Sequence, residues 1–258
     1  MSQYDSIGAS YNVLEQLAYR AVEKYNVYTT IKPLLRPGVH VLDLACGTGF
    51  YSSHLLAWGA EDVLGVDISS AMLESAVSRL SSEISAGKAQ FVLGDGVIPQ
   101  SFAPDNSRGF FGMVFGAWFL NYASSKDQLV AMFTNISLNL TVDGVFVGVV
   151  PYPTNDIQER AKNSEQISLR QYFPRNEYVE ELSSGDGWSL RKSVYEEAAR
   201  LGGLRGKLEW RDETLGTENS EQQFGLTADE WSIRVQNPHL GILVAWKSWF
   251  NTGKRTNR

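Results

Sequence analysis

Three aspartates stand at the ends of three short apolar runs, and their types and spacing are what could do chemistry in this chain. Asp43 falls in VHVLDL (39–44), Asp67 closes DVLGVD (62–67) and Asp95 closes AQFVLGD (89–95). Each run is short, rich in Val, Leu and Phe and followed by Gly or a polar turn, the pattern of a β-strand. After the first run comes a turn of small residues, Ala45, Cys46, Gly47, Thr48 and Gly49, and then an apolar-periodic segment that opens a helix. Such a turn lets a ligand sit against bare backbone, near the unpaired N–H groups of a helix N-terminus. A phosphate cradle would want a lysine or an open anion site there. A carboxylate favours a cationic or hydroxyl-bearing ligand. Asp67 lies about 20 residues past the glycine turn, the separation at which an acid meets a ribose diol in nucleotide-binding strand–helix–strand units. Parallel strands joined by helices place their C-terminal ends along one sheet edge, where ligands bind. Three carboxylates on that rim can serve an amino group, a ribose diol and an adenine amine.

The elements that must position these acids are legible around them. Helical periodicity runs over 11–36 (Val13, Leu14, Leu17, Ala21, Val22), closed by Pro33 and Pro37. Strands are predicted at 39–44, 62–67, 89–94, 111–116, 145–150, 206–213 and 239–246, and helices at 50–58, from Ser69 or Ser70 to 82, at 125–139, 193–201 and 227–236. The stretch 97–109, with Pro99, Pro104, Asn106 and Gly109, reads as loop or a short helix. Residues 151–192 break the alternation with Pro151, Pro153, Pro174, Gly185 and Gly187, and are read as an insertion covering the sheet edge, with ISLRQYF and WSLRKSVY as strand pieces. The expected fold is α/β: a Rossmann-like, seven-stranded, mostly parallel sheet with helices on both faces.

The 258 residues suit one elaborated domain. It divides into an N-terminal lid (1–36), a cofactor-binding core (37–150), a cap insertion after strand five (151–192) and the C-terminal part of the sheet (193–250). A net charge of −6 argues against a dedicated nucleic-acid binder. The single cysteine, Cys46, excludes an intramolecular disulfide and a Cys-rich metal site. No apolar run is long enough for a membrane span and no signal peptide is recognisable, so a soluble, cytoplasmic protein is expected. Oligomeric state is left open.

Four segments in order carry a family resemblance: DLACGTG, GVDIS, GDG and the run FGAWFLNYA at 115–123. They resemble the motifs of the class I S-adenosylmethionine-dependent methyltransferases, well over about 10–150 and loosely beyond. The resemblance implies S-adenosylmethionine as cofactor and S-adenosylhomocysteine as product. It implies that Asp43 holds the methionine ammonium, directly or through water, or caps the turn, and that Ala45, Gly47 and Gly49 bring the backbone close. It further implies that Asp67 pairs the ribose hydroxyls, Ile68 and Met72 pack on adenine, and Asp95 accepts from the adenine amine with Gly94 and Gly96 leaving room for the ring. Ala117 and Trp118 should run past the methionine end.

The tyrosine-rich N-terminal segment looks like a lid. In LAYR (17–20), Arg20 is matched to the cofactor carboxylate, with Tyr11 and Tyr19 shielding the sulfonium or packing within the helix. For the acceptor, Trp118, Asn121, Tyr122, Tyr152 and Tyr172 are candidates. No catalytic residue stands out, and Tyr11, Tyr122 and His239 are the weak candidates, His239 being read first as structural. Cys46 is read as small and buried, and His54 as a packed or surface histidine. The chain lacks the Asn/Asp-Pro-Pro-Tyr/Phe motif of many nucleic-acid and amide methyltransferases, and LNYA resembles the small-molecule, natural-product branch. The implied activity is in-line methyl transfer to nitrogen, sulfur or oxygen of a small organic acceptor. Alternatives are a protein side-chain methyltransferase, another transfer from the same cofactor, or a cofactor-binding regulator without turnover.

Overall fold

The computed structural model describes residues 18–153, 191–215, 224–236 and 238–248, and for Ala18, Tyr19 and Ile233 the backbone alone. Tyr11, Tyr172 and most of the expected insertion lie outside the described residues. Seven strands form one sheet: β1 (His40–Leu44), β2 (Asp62–Asp67), β3 (Ala89–Leu93), β4 (Phe111–Ala117), β5 (Leu140–Pro151), β6 (Leu208–Asp212) and β7 (Leu240–Trp246). Their order is β3-β2-β1-β4-β5-β7-β6, with β7 antiparallel to both neighbours and the other pairings parallel. The chain leaves β1 toward β2 on one side and later pairs β4 on the other. That makes the C-terminal ends of β1 and β4 the switch point where such sheets bind ligands.

Seven helices flank the sheet among the described residues: α1 (Ala18–Ile31), α2 (Phe50–Trp58), α3 (Ser70–Arg79), α4 (Ser81–Ser85), α5 (Lys126–Asn139), α6 (Lys192–Leu201) and α7 (Ala228–Gln236). Strand side chains alternate between two apolar layers, as a two-residue period demands. Val41, Met113, Phe115, Val147 and Val244 face α1 and α2, packing with Val27, Ile31, Tyr51 and Leu55. Leu42, Leu44, Val114, Phe146 and Leu243 face α5 and α6, packing with Leu129, Phe133, Ile136 and Tyr195.

The structure redraws three expected boundaries. The helix expected to run to residue 82 breaks at Leu80, which leaves helical geometry (φ −110, ψ 30) while burying its side chain completely. Strand β5 starts at Leu140 rather than 145, because Asn139 ends α5 directly into the strand and a register irregularity against β4 absorbs the extra residues. The end of WSLRKSVY is helical from Lys192, where Tyr195, Ala198 and Ala199 bury one face at helical spacing.

Candidate functional site

The turn after β1 is built in left-handed backbone, with φ 58 at Ala45, 54 at Gly47 and 75 at Gly49. The two glycines do different work. A Cβ on Gly47 would meet nothing within 4 Å, so its backbone borders open space. A Cβ on Gly49 would stand 2.9 Å from Leu80 Cδ1 and 3.1 Å from Ala76 Cβ, so this glycine lets α3 pack against the start of α2.

The open space is a cavity of about 370 Å³ at the C-terminal ends of β1, β2 and β4, bordered by Ala45, Gly47, Asp67, Asp95, Trp118 and Arg20 among others. That size falls in the usual range for small-molecule sites. Asp67 is held from behind. One carboxylate oxygen accepts from Gly47 N at 2.8 Å and the other from Ser69 N at 2.9 Å. Ser69 Oγ in turn caps α3 by accepting from Met72 N at 3.3 Å. This anchoring fixes the orientation of the carboxylate at the cavity. Asp95 is fixed similarly, accepting from Val97 N at 2.9 Å. Ile68 and Met72 both line the cavity, Ile68 as an exposed rim residue and Met72 as a buried one. Gly94 and Gly96 line it too, but the space at Gly96 is taken by Phe119, whose ring would lie 2.7 Å from a Cβ there.

Asp43 lies outside the cavity lining. It is buried beneath the turn, where its carboxylate accepts from Ser52 Oγ of α2 at 2.6 Å. Burial raises its pKa to about 7, with the Asp67 charge adding to the rise and the Ser52 bond opposing it. Cys46 is buried as expected and also lines the cavity, and burial pushes its thiol pKa well up, away from a reactive thiolate.

The opposite wall comes from the end of β4 and from α5. Trp118 takes a left-handed backbone (φ 59), rare for a bulky residue, and is pinned there by its N–H donating to Val149 O at 2.8 Å. A one-turn 3-10 helix, Leu120–Tyr122, follows. Tyr122 lines the cavity, whereas Asn121 is buried away from it. Gln128 and Met132 reach the cavity from α5. Ser124 donates from both N–H and Oγ to the Gln128 amide oxygen (2.5 and 2.8 Å), which leaves the NH2 as the end that Gln128 can offer a ligand.

Helix α1 closes the remaining side. Arg20 is buried, lines the cavity, donates to Glu23 Oε1 at 2.5 Å and lies 5.6 Å from the Phe50 ring centre. Glu23 also accepts from Tyr51 OH at 2.6 Å and from Trp118 Nε1 at 3.2 Å. Burial and the Glu23 charge hold the Tyr51 hydroxyl well above its ordinary pKa.

Of the sequence-derived residues, the cavity therefore brings together Arg20, Ala45, Gly47, Asp67, Ile68, Met72, Gly94, Asp95, Gly96, Ala117, Trp118 and Tyr122. Gly49, Asp43, Asn121, Tyr152 and His239 stand outside its lining. Tyr152 hydrogen-bonds His239 through the backbone (3.0 Å), and Lys192 lies 5.4 Å from its ring. His239 is buried beside Trp118, with 5.7 Å between ring centres. Tyr19 contributes backbone to α1, and its side chain lies outside the described residues. Sequence reasoning missed Glu23, Tyr51, Val97, Gln128 and Met132. Two carried a readable signal: Glu23 follows Arg20 at helical i+3 spacing, and Ser125-x-x-Gln128 has the form of a capping box at the start of α5.

Residues 41–144 match the family model described as a methyltransferase domain. A demethylmenaquinone methyltransferase of Symbiobacterium thermophilum is 34% identical over 134 residues, which are 50% of this chain and 51% of the relative. The chain thus spans about half the length of that curated relative. Among solved structures, a chain of the Haloferax volcanii complex between the Trm112 methyltransferase activator and a methyltransferase superposes with TM-score 0.62 at 17% identity, covering 96% of this chain and 99% of that one. The geranyl diphosphate C-methyltransferase of Streptomyces coelicolor, solved with Mg2+, geranyl diphosphate and S-adenosylhomocysteine, superposes with TM-score 0.60 at 16% identity, covering 96% and 85%. With the acids on three strand ends, the glycine turn at the switch point and the reversed β7 in place, residues 41–144 match a methyltransferase domain and the chain has the fold of the solved methyltransferases it superposes on.

Proposed function

We propose that this chain is an S-adenosylmethionine-dependent methyltransferase acting on nitrogen, sulfur or oxygen of a small organic acceptor. The observation that carries the reading is the pairing of two unlike walls in one cavity. One wall holds the bare Gly47 backbone and the backbone-anchored carboxylates of Asp67 and Asp95, and the other holds Trp118, Phe119, Tyr122 and Met132. Two fixed carboxylates, with no lysine in the lining among the described residues, suit a diol and an amine better than a phosphate chain. An adenosine ligand without phosphates has those groups. When bound, S-adenosylmethionine supplies a methyl group activated on a sulfonium. The residues that would hold it are Asp67 toward the ribose hydroxyls, Asp95 toward the adenine amine, Arg20 toward the carboxylate, and Ala45 and Gly47 through their backbone. Asp43, one layer deeper, acts on the turn and would reach the ammonium only through water.

The aromatic wall supports an acceptor with an apolar body, and the Gln128 NH2 favours one bearing an oxygen that accepts a hydrogen bond. Proximity in a dry pocket is then the enzyme's main contribution, with amines and thiolates needing little acid–base help. The test is incubation with methyl-labelled S-adenosylmethionine and a cell extract. Label in the low-molecular-weight organic fraction supports the proposal. Label in protein favours a side-chain methyltransferase instead, and tight cofactor binding without any transfer favours a regulator.

A further inference from the structure

One buried carboxylate in this molecule belongs to no sequence motif. Glu23 is 1% exposed and gathers three donors from three elements: Arg20 of its own helix, the Tyr51 hydroxyl of α2 and the Trp118 indole N–H at the end of β4. All three line the cavity, Arg20 and Trp118 from different sides. We propose that Glu23 is a positioning residue: it aims the Arg20 guanidinium at the cofactor's carboxylate and fixes the Trp118 ring, so that one buried acid sets both ends of the site. The inference rests on the cofactor reading above, with Arg20 meeting the carboxylate.

A purely structural role, docking α1 onto the body, is already filled by other groups. Asn26 exchanges two hydrogen bonds with the Thr214 backbone, each 2.8 Å, and Val22, Val27 and Ile31 are fully buried. Glu23 is placed differently, a turn nearer the cavity, where its bonds end on residues that face the ligand. An arginine side chain is long and rotamer-rich, and holding it in one geometry costs entropy at the moment of binding unless that cost is met beforehand. A bond to a buried carboxylate meets it in the free protein. The same carboxylate oxygen accepts from Tyr51, which keeps Glu23 itself from swinging with Arg20. Gln at this position has the right shape, but whichever way its amide turns, the NH2 meets either the Arg20 guanidinium or the Trp118 indole N–H, neither of which accepts, so the three bonds cannot coexist.

The test compares two ligands that share the adenosine end. S-adenosylhomocysteine carries the amino-acid carboxylate and 5′-methylthioadenosine lacks it. In wild-type protein, calorimetry should show a clear preference for S-adenosylhomocysteine. Glu23→Gln should weaken S-adenosylhomocysteine binding about tenfold or more while changing 5′-methylthioadenosine binding by no more than about twofold, the scale expected for losing a charge-assisted hydrogen bond. Arg20→Ala should do the same, and the double variant should lose little more than either single one. Should Glu23→Gln fail to fold, Glu23→Asp keeps the charge but withdraws it by one methylene and makes the same comparison. Equal losses for both ligands, or no loss for either, would overturn the positioning role. Loss of the preference in Arg20→Ala but not in Glu23→Gln overturns this inference alone. A wild-type protein that binds neither ligand overturns the cofactor reading beneath it.

Discussion

At the scale of single residues, the site runs on carboxylates held in different ways. Asp67 and Asp95 are oriented by backbone N–H donors and face the cavity, Glu23 is oriented by three side chains, and Asp43 is sealed beneath the turn. Asp43 has a consequence for stability. Its folded pKa of about 7, raised first by burial, lies well above the value of an exposed aspartate, so the folded state binds a proton that the unfolded state has released. Stability from this group is full below about pH 4, falls as pH rises, and is gone above about pH 7, a loss on the order of a few kcal/mol. Asp43→Asn keeps the shape and removes the titration. Melting temperatures measured from pH 5 to 8 should decline in the wild-type protein and decline less in the variant. Parallel curves would contradict the assignment.

At the scale of elements, the turn between β1 and α2 and the docking of α1 carry the most. The two turn glycines separate by experiment. Gly49→Ala combines left-handed strain with a clash against Leu80 and should cost about 2–4 kcal/mol in urea unfolding. Gly47→Ala meets only open space and should cost about 1–2 kcal/mol, yet weaken cofactor binding more than Gly49→Ala does, because its methyl would enter the cavity. For α1, Asn26→Ala removes two hydrogen bonds to the Thr214 backbone and should cost about 1–3 kcal/mol. Unchanged stability in that variant would mean α1 is held by its apolar face alone. These elements were legible to different degrees. The β1–turn–α2 unit is written locally, in a strand pattern, small residues and helical periodicity, so its boundaries needed little revision. The break at Leu80 was not, because helical periodicity continues through it, and its side chain packs beside Gly49, 31 positions earlier.

At the scale of the whole molecule, the seven-stranded sheet follows from alternation and spacing, and the order β3-β2-β1-β4-β5-β7-β6 brings the ends of distant segments to one rim. The acids that close strands were readable because each sits at a pattern's edge. The hydrogen-bond partners that hold the site were not, because they are pairs far apart in the chain. Glu23 meets Trp118 across 95 residues, and Asn26 meets Thr214 across 188. Asn121 shows the converse. Its neighbours Trp118 and Tyr122 reach the cavity, but the 3-10 turn rotates Asn121 into the interior, and only the turn's geometry reveals that.

The central claim is that this cavity binds the adenosine of S-adenosylmethionine through Asp67. Titration calorimetry of S-adenosylhomocysteine into wild-type protein and Asp67→Ala, with unfolding midpoints taken on the same samples, tests it most directly. The account predicts one-to-one binding in the wild-type protein and a loss of about a hundredfold or more in a variant that remains folded, since two ribose hydroxyls would lose a charged acceptor in a site built to pair them. Equal affinity in the two folded proteins would contradict it.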